Sequence, residues 1–341
     1  MTAPPAPLPV RLGGRGAGPP AHAAVAGSSP GPRLLHLRVR AVGAGAMAAL
    51  LAASVAAPGI VASWAALIAV GGVLLGLPHG AVDHLVPGWA AARPLGRRSM
   101  AVLVTGYLLV VGAGAAALRV APVPTLVLFL GVSAWHFGRG EVVEAAQAAG
   151  RPVPAPAEDL LPVLAHGLVT VGLPVAAWPA VSLPLLDLLA PGAARVPGWV
   201  PTVVGAAAAL AVTAALGGLV LSRRAGEAGE LALLAATFWT VHPFAAFGVY
   251  FGLWHALRHG ARLVDLAAGA GPLGQGLRRV ALQAVLPTAG AVAFLTVVAS
   301  TVRLAPAGAA SGLLAAELAT LIGLTFPHAV VVARLDRWAR R

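Results

Sequence analysis

Long apolar runs separated by short, arginine- and proline-bearing connections fill the chain from Ala41 onward. They fall at about 41–56, 59–86, 100–118, 121–138, 159–179, 200–222, 229–242, 244–268, 279–300 and 309–333. A helix of roughly 17–25 apolar residues crosses a bilayer. The first run is short by that measure, and 229–242 is too short to span alone. A chain in lipid must satisfy its backbone N–H and C=O groups internally, so such runs are helices. The pattern predicts an all-α, polytopic transmembrane helical bundle of about 8–10 spans.

The charged positions between the runs alternate. Arg33, Arg38 and Arg40 precede the first run, and Arg93, Arg97 and Arg98 follow the second. Arg139 and Arg151 follow the fourth, Arg223 and Arg224 the sixth, and Arg278 and Arg279 border the eighth connection. Arg334, Arg337, Arg340 and Arg341 close the chain, while the intervening connections hold only Arg119, Arg195 and Arg303. Basic residues collect on the cytoplasmic side, so both termini are expected there. Residues 1–33 are rich in Pro, Gly and Ala and lack the apolar core of a signal peptide. The expected organisation is a disordered tail over 1–40 and a single multi-span membrane domain over 41–341.

Composition sharpens this. Only 10% of the 341 residues are charged and 59% are hydrophobic, against roughly 25% charged in an ordinary soluble domain. The net charge of +12 comes entirely from Arg; Lys and Asn are absent. Arg at the ends of apolar runs argues for topology rather than nucleic-acid binding. With no Cys, disulfides, thiolate-ligated zinc, iron–sulfur clusters and thiolate haem are excluded. Any metal site must use His and carboxylates.

Of ten His, eight lie in or beside the apolar runs, where ionisable groups are costly and mark function. In Gly-Leu-Trp-His-Ala-Leu-Arg-His-Gly, His255 and His259 are four apart and share one helix face. That spacing suits two ligands of one metal, or a pair hydrogen-bonded to neighbouring helices. Arg258 and Arg262 on the same helix need a watery cavity or partners such as Asp265. In Gly-Leu-Pro-His-Gly-Ala-Val-Asp-His, His79 reads as a ligand, with Asp83 beside it as an acceptor that orients a His ring. His84 lies about 140° around the helix from His79. In Ser-Ala-Trp-His-Phe-Gly, His136 closes the fourth run. Together His79, His136, His255 and His259 offer four neutral nitrogens, a set that suits Fe, Zn, Cu or Ni. His166 and His242 fit polar contacts between helices. Glu317 and His328, eleven apart on one face, could line a cavity.

The PHGAVDH stretch at 78–84, WHFG at 135–138, WHALRH at 254–259 and PHAVVVARLDR at 327–337 resemble the Brp/Blh family of β-carotene 15,15′-dioxygenases. The resemblance spans roughly residues 70–337. It implies a non-haem Fe(II) enzyme that splits the central double bond of β-carotene with O2 to give two all-trans-retinal molecules. The family's proposed four-His iron site falls, motif by motif, on His79, His136, His255 and His259, with Asp83 and His84 behind it. The substrate is a long polyene with no polar handle, drawn from the lipid bilayer of the cell membrane. Trp135, Phe137, Phe247, Phe251 and Trp254 are expected to line its tunnel, while Tyr250 fits packing better. A functional link to a retinal-binding rhodopsin follows from such a product; the chain itself has no Lys for a Schiff base. The alternative is a proton-coupled or metal-linked transporter with a His/Asp/Glu relay.

Overall fold

A computed structural model describes residues 30–301 and 308–340. Ten helical units answer the ten apolar runs, and no strand occurs among the described residues. They are α1 (Pro30–Ala56), α2 (Pro58–Gly76) with the short α3 (Pro78–Ala81) and α4 (Val86–Ala90), α5 (Arg97–Val120) and α6 (Pro122–Ala148). Then come α7 (Leu160–Gly167), continued through a π-helical turn at Leu168–Gly172 into α8 (Leu173–Ala177), followed by α9 (Pro179–Leu189). The rest are α10 (Trp199–Leu221), α11 (Ala225–Thr240), α12 (Pro243–Val249), a second π-helical turn (Tyr250–His255), α13 (Ala256–Ala268), α14 (Leu273–Thr301) and α15 (Gly308–Ala339). The unit α9 has no counterpart among the expected spans.

Proline starts many of these helices. It stands in the first turn of α2, α4, α6, α9 and α12, where its missing N–H has no helical partner to lose; Pro78 and Pro174 instead interrupt the backbone bonding within the stretches Pro58–Ala81 and Leu160–Ala177. Seven helices among the described residues are long and apolar enough to cross a membrane. Three of the ten expected runs are not among them: α11 has only 16 residues, and α6 and the stretch through α12 and α13 carry charged and polar residues along their length. Helix α6 carries Arg139, Glu141 and Glu144, the stretch through α12 and α13 Arg258, Arg262 and Asp265. These are inner helices whose charges face one another.

Two boundaries also move. The first helix begins at Pro30, so residues 30–40, expected in the tail, are helical. There His36 is buried and makes an ion-pair contact with Glu144 at 3.3 Å, next to the Arg40–Glu144 pair. The tail over 1–29 and Arg303 lie outside the described residues. Helix α6 runs ten residues beyond the expected end, so His136 sits in a helix interior rather than at its C-terminus. The polar residues that look like a loop in the sequence are instead paired and buried.

The centre is organised around close helix crossings. A Cβ on Gly72 would overlap the backbone of Gly248, one on Gly248 would overlap Ile68 and Ala69, and one on Gly252 would crowd Gly72. With Gly76, these form two small-xxx-small pairs on facing helices, the pattern that lets membrane helices meet backbone to backbone. A Cβ on Gly76 would run into the Phe251 ring. A second close crossing, Gly138 against Val163 and Gly167 against Ala134, clamps α6 to α7. Helix α15 packs on α5, α6 and α14.

Candidate metal centre

Four elements deliver imidazoles to one point. Helix α2 runs on through Leu77 into α3, whose first turn carries Pro78 and presents His79. Helix α6 presents His136, the π-helical turn ends on His255, and α13 adds His259. An extra residue per turn in a π-helix resets which side chains face inward, and here it aligns Phe251 and His255 on the same wall. A fifth ring, His328 of α15, joins them.

Six pairs among the five rings are near neighbours. His79 stands 5.3 Å from His255, 5.5 Å from His259 and 5.0 Å from His328, centroid to centroid. His136 stands 5.1 Å from His255 and 4.9 Å from His328, and His259 is 5.3 Å from His328. All six contacts are edge-on, and only the i, i+4 pair His255–His259 is stacked, at 6.5 Å. His79 donates from Nδ1 to the carbonyl oxygen of Gly76. His328 donates from Nδ1 to Oδ2 of Asp83 at 2.8 Å, and Tyr107 donates to the same oxygen at 3.4 Å. The Nε2 atoms of His255, His259 and His328 are buried with no hydrogen-bond partner. Buried polar atoms are nearly always paired, so three unpaired nitrogens within one ring cluster stand out. Among the described residues, no group of three or more His, Asp or Glu side chains stands, as placed, where it could hold a metal ion.

Two cavities adjoin the cluster. The larger, about 520 Å³, is lined by His79, Asp83, His84, Tyr107, His136, His255 and His328 with an otherwise apolar wall. It reaches Val104, Leu108 and Phe294, which are exposed on the outer faces of α5 and α14. The smaller, about 140 Å³, lies beyond Phe137 and Phe251 and is lined by Phe129, Phe247, Leu318 and other apolar residues. Phe137, Phe251, Leu321 and Thr325 border both. Trp135 borders a separate pocket with Arg139 and Asp336. Trp254 is fully buried and lines neither chamber. Glu317 is buried outside both, His166 donates to Pro162 at 2.9 Å, and His242 packs on Trp178.

Arg258, unexplained in the sequence, has abundant partners. Its Nη1 lies 2.8 Å from Glu141 and 3.1 Å from Glu230, and its guanidinium sits 3.9 Å above the Trp254 ring. Glu141 also accepts from Tyr250 at 3.2 Å and from the Trp254 indole at 2.9 Å. Arg262 pairs with Asp336 at 2.5 Å rather than with Asp265. Arg258 and Arg262 thus anchor α13 to its neighbours, while His255 lines the larger chamber and His259 lies in the ring cluster.

The profile of the β-carotene 15,15′-dioxygenase family matches residues 70–336. The chain belongs to that family, and so to the oxidoreductases. It is also 32% identical, over 303 aligned residues, to a protein of Halobacterium salinarum named as probable β-carotene 15,15′-dioxygenase Blh, covering 81% of this chain and 85% of the relative. No solved structure matches. All five clustered His residues fall within the family match. The sequence motifs led to four of them. The sequence marks the fifth, His328, only as cavity lining, because its link to Asp83 crosses 245 positions.

Proposed function

We propose that this protein cleaves β-carotene at its central 15,15′ double bond with O2, giving two retinal molecules, at an Fe(II) site built on His79, His136, His255 and His259. The observation that carries the metal site is the ring cluster with its orphaned nitrogens. With a metal–nitrogen distance of about 2.1 Å, a ring centroid stands about 3.2 Å from the ion. Two imidazoles at 90–109° then have centroids about 4.5–5.2 Å apart by the same arithmetic. The near pairs among the four span 5.1–5.5 Å, so a small inward shift of the rings would bring them to that spacing. Imidazole nitrogens with no thiolate suit non-haem iron. Fe(II) held there would supply the redox chemistry by which O2 adds across the double bond.

The protein's own residues do the rest. The fixed Nδ1–H of His79 leaves Nε2 free to bind a metal. The apolar chamber walls hold a polyene that offers nothing to hydrogen-bond, and they keep water from the reacting bond. Exposed residues of α5 and α14 at the rim of the larger chamber give a way in sideways from lipid. The His cluster lies against the Phe137–Phe251 wall, with a chamber on either side. A symmetric polyene crossing that wall would bring its centre to the metal, which is what central cleavage needs. Family membership favours this reading over the transporter alternative. The setting is the cell membrane, with the arginine-rich connections on its cytoplasmic side. The product would serve a retinal-binding rhodopsin.

Expression in cells that accumulate β-carotene tests the reading. Bleaching with retinal formation is expected. Colour retained in the presence of a folded, iron-loaded protein contradicts it.

A further inference from the structure

We propose that His328 is itself a metal donor, a fifth imidazole added to the four-His set, and that Asp83 is the positioning residue that holds it. The inference rests on the iron-site reading above.

His328 is as central to the cluster as the four residues marked by the motifs. Its ring lies 5.0 Å from His79, 4.9 Å from His136 and 5.3 Å from His259. No ring of the four has three neighbours nearer than that. Its Nδ1 faces a carboxylate, which can only accept, so Nδ1 carries the proton. That leaves the Nε2 lone pair, buried and without a partner. A carboxylate–imidazole pair of this kind fixes the tautomer and raises the basicity of the ligating nitrogen.

Two other roles fit less well. An Asp–His strut that merely ties the α3–α4 turn to α15 would leave Nε2 orphaned in a cluster of imidazoles, with its desolvation uncompensated. A protonated His328 would need an acceptor for its second N–H, and its Nε2 makes no hydrogen bond to any neighbouring ring. Placed on a metal, Nε2 is satisfied and the Asp83 charge offsets part of the ion's. Asp83 has a further hold, since Tyr107 donates to its Oδ2. Its other oxygen, Oδ1, is buried and unpaired. Pro327 immediately before His328 removes a backbone donor inside α15, a place where a helix bends.

The test is metal binding without carotene. Full-length protein in detergent is stripped with chelator and titrated with Co(II), which reports ligand number in its visible spectrum. Wild type, His328→Ala, His328→Gln, Asp83→Asn and, as a control on the same helix, Glu317→Gln are compared for affinity and spectrum. The expected result is at least a 10-fold loss of affinity and an altered spectrum for both His328 variants. Asp83→Asn should lose about 10–100-fold, and Glu317→Gln should match wild type. Added imidazole should restore the spectrum of His328→Ala. Wild-type affinity with an unchanged spectrum in His328→Ala overturns the inference and leaves the four-His reading standing. Should His328→Ala not fold, an unchanged affinity and spectrum in Asp83→Asn overturns it instead. A wild-type protein that takes up no metal overturns both.

Discussion

Gly72 of α2 and Gly248 of α12 meet backbone against backbone, so closely that a methyl group on either would overlap the other helix. This crossing lies two turns from His79 along α2 and α3 and two turns from His255 along its partner. It sets how near those two rings come. Gly72→Ala gains about 1 kcal/mol of helix propensity but incurs about 1–3 kcal/mol of overpacking. Because the overlap is with backbone, the second effect wins. The expected outcome is a lower unfolding temperature and weaker metal binding. Gly71→Ala, where an added Cβ meets nothing, should be neutral or slightly stabilising in the same thermal-shift assay.

The smaller chamber is expected to seat one half of the polyene. Leu318 lines that chamber and not the larger one. Leu318→Trp should therefore cut β-carotene turnover at least 10-fold while leaving metal content unchanged. A polyene shortened at one end should lose far less. Equal losses on both substrates, measured by chromatography of products, would place the substrate elsewhere.

Behind the metal centre, Arg258 and Glu141 form a buried ion pair. Removing one member of such a pair costs about 3–5 kcal/mol, because it strands the other charge. Glu141→Ala is therefore expected to destabilise the protein strongly, despite the second contact to Glu230. Arg258→Met in the Glu141→Gln background should be better tolerated than the sum of the single changes. A double-mutant cycle on thermal unfolding checks this, with a coupling of about 0.5–3 kcal/mol expected.

The proposed metal ties α15 to α3, α6 and α13 through His328. Chelation should then loosen α15 more than α10, which contributes no imidazole. Hydrogen exchange should rise in the segment around His328 on metal removal, since ligand loss withdraws stability from what it holds. Uniform exchange across both helices would argue against that linkage.

Much of the architecture was legible in the sequence because lipid imposes one rule on every span. All ten apolar runs coincide with helical units. The span count was less legible, since hydropathy cannot tell that Arg139, Glu141 and Glu144 continue α6. Their burial depends on partners from α1, α13 and α15 that are far away in sequence. Local spacing marked His255 with His259, and motif order drew in His79 and His136. Nothing local marks the Asp83–His328 pair, nor the π-helical turn at Tyr250–His255 that sets the direction of His255. Those features exist only once α3, α13 and α15 have packed.

The most direct measurement is the product balance of the purified, iron-reconstituted protein given β-carotene and O2. The account predicts retinal as the sole carotenoid product, two molecules for each β-carotene consumed, with activity abolished by chelation and restored by Fe(II). Fragments of unequal length, or unaltered β-carotene with a folded and iron-loaded protein, would contradict it.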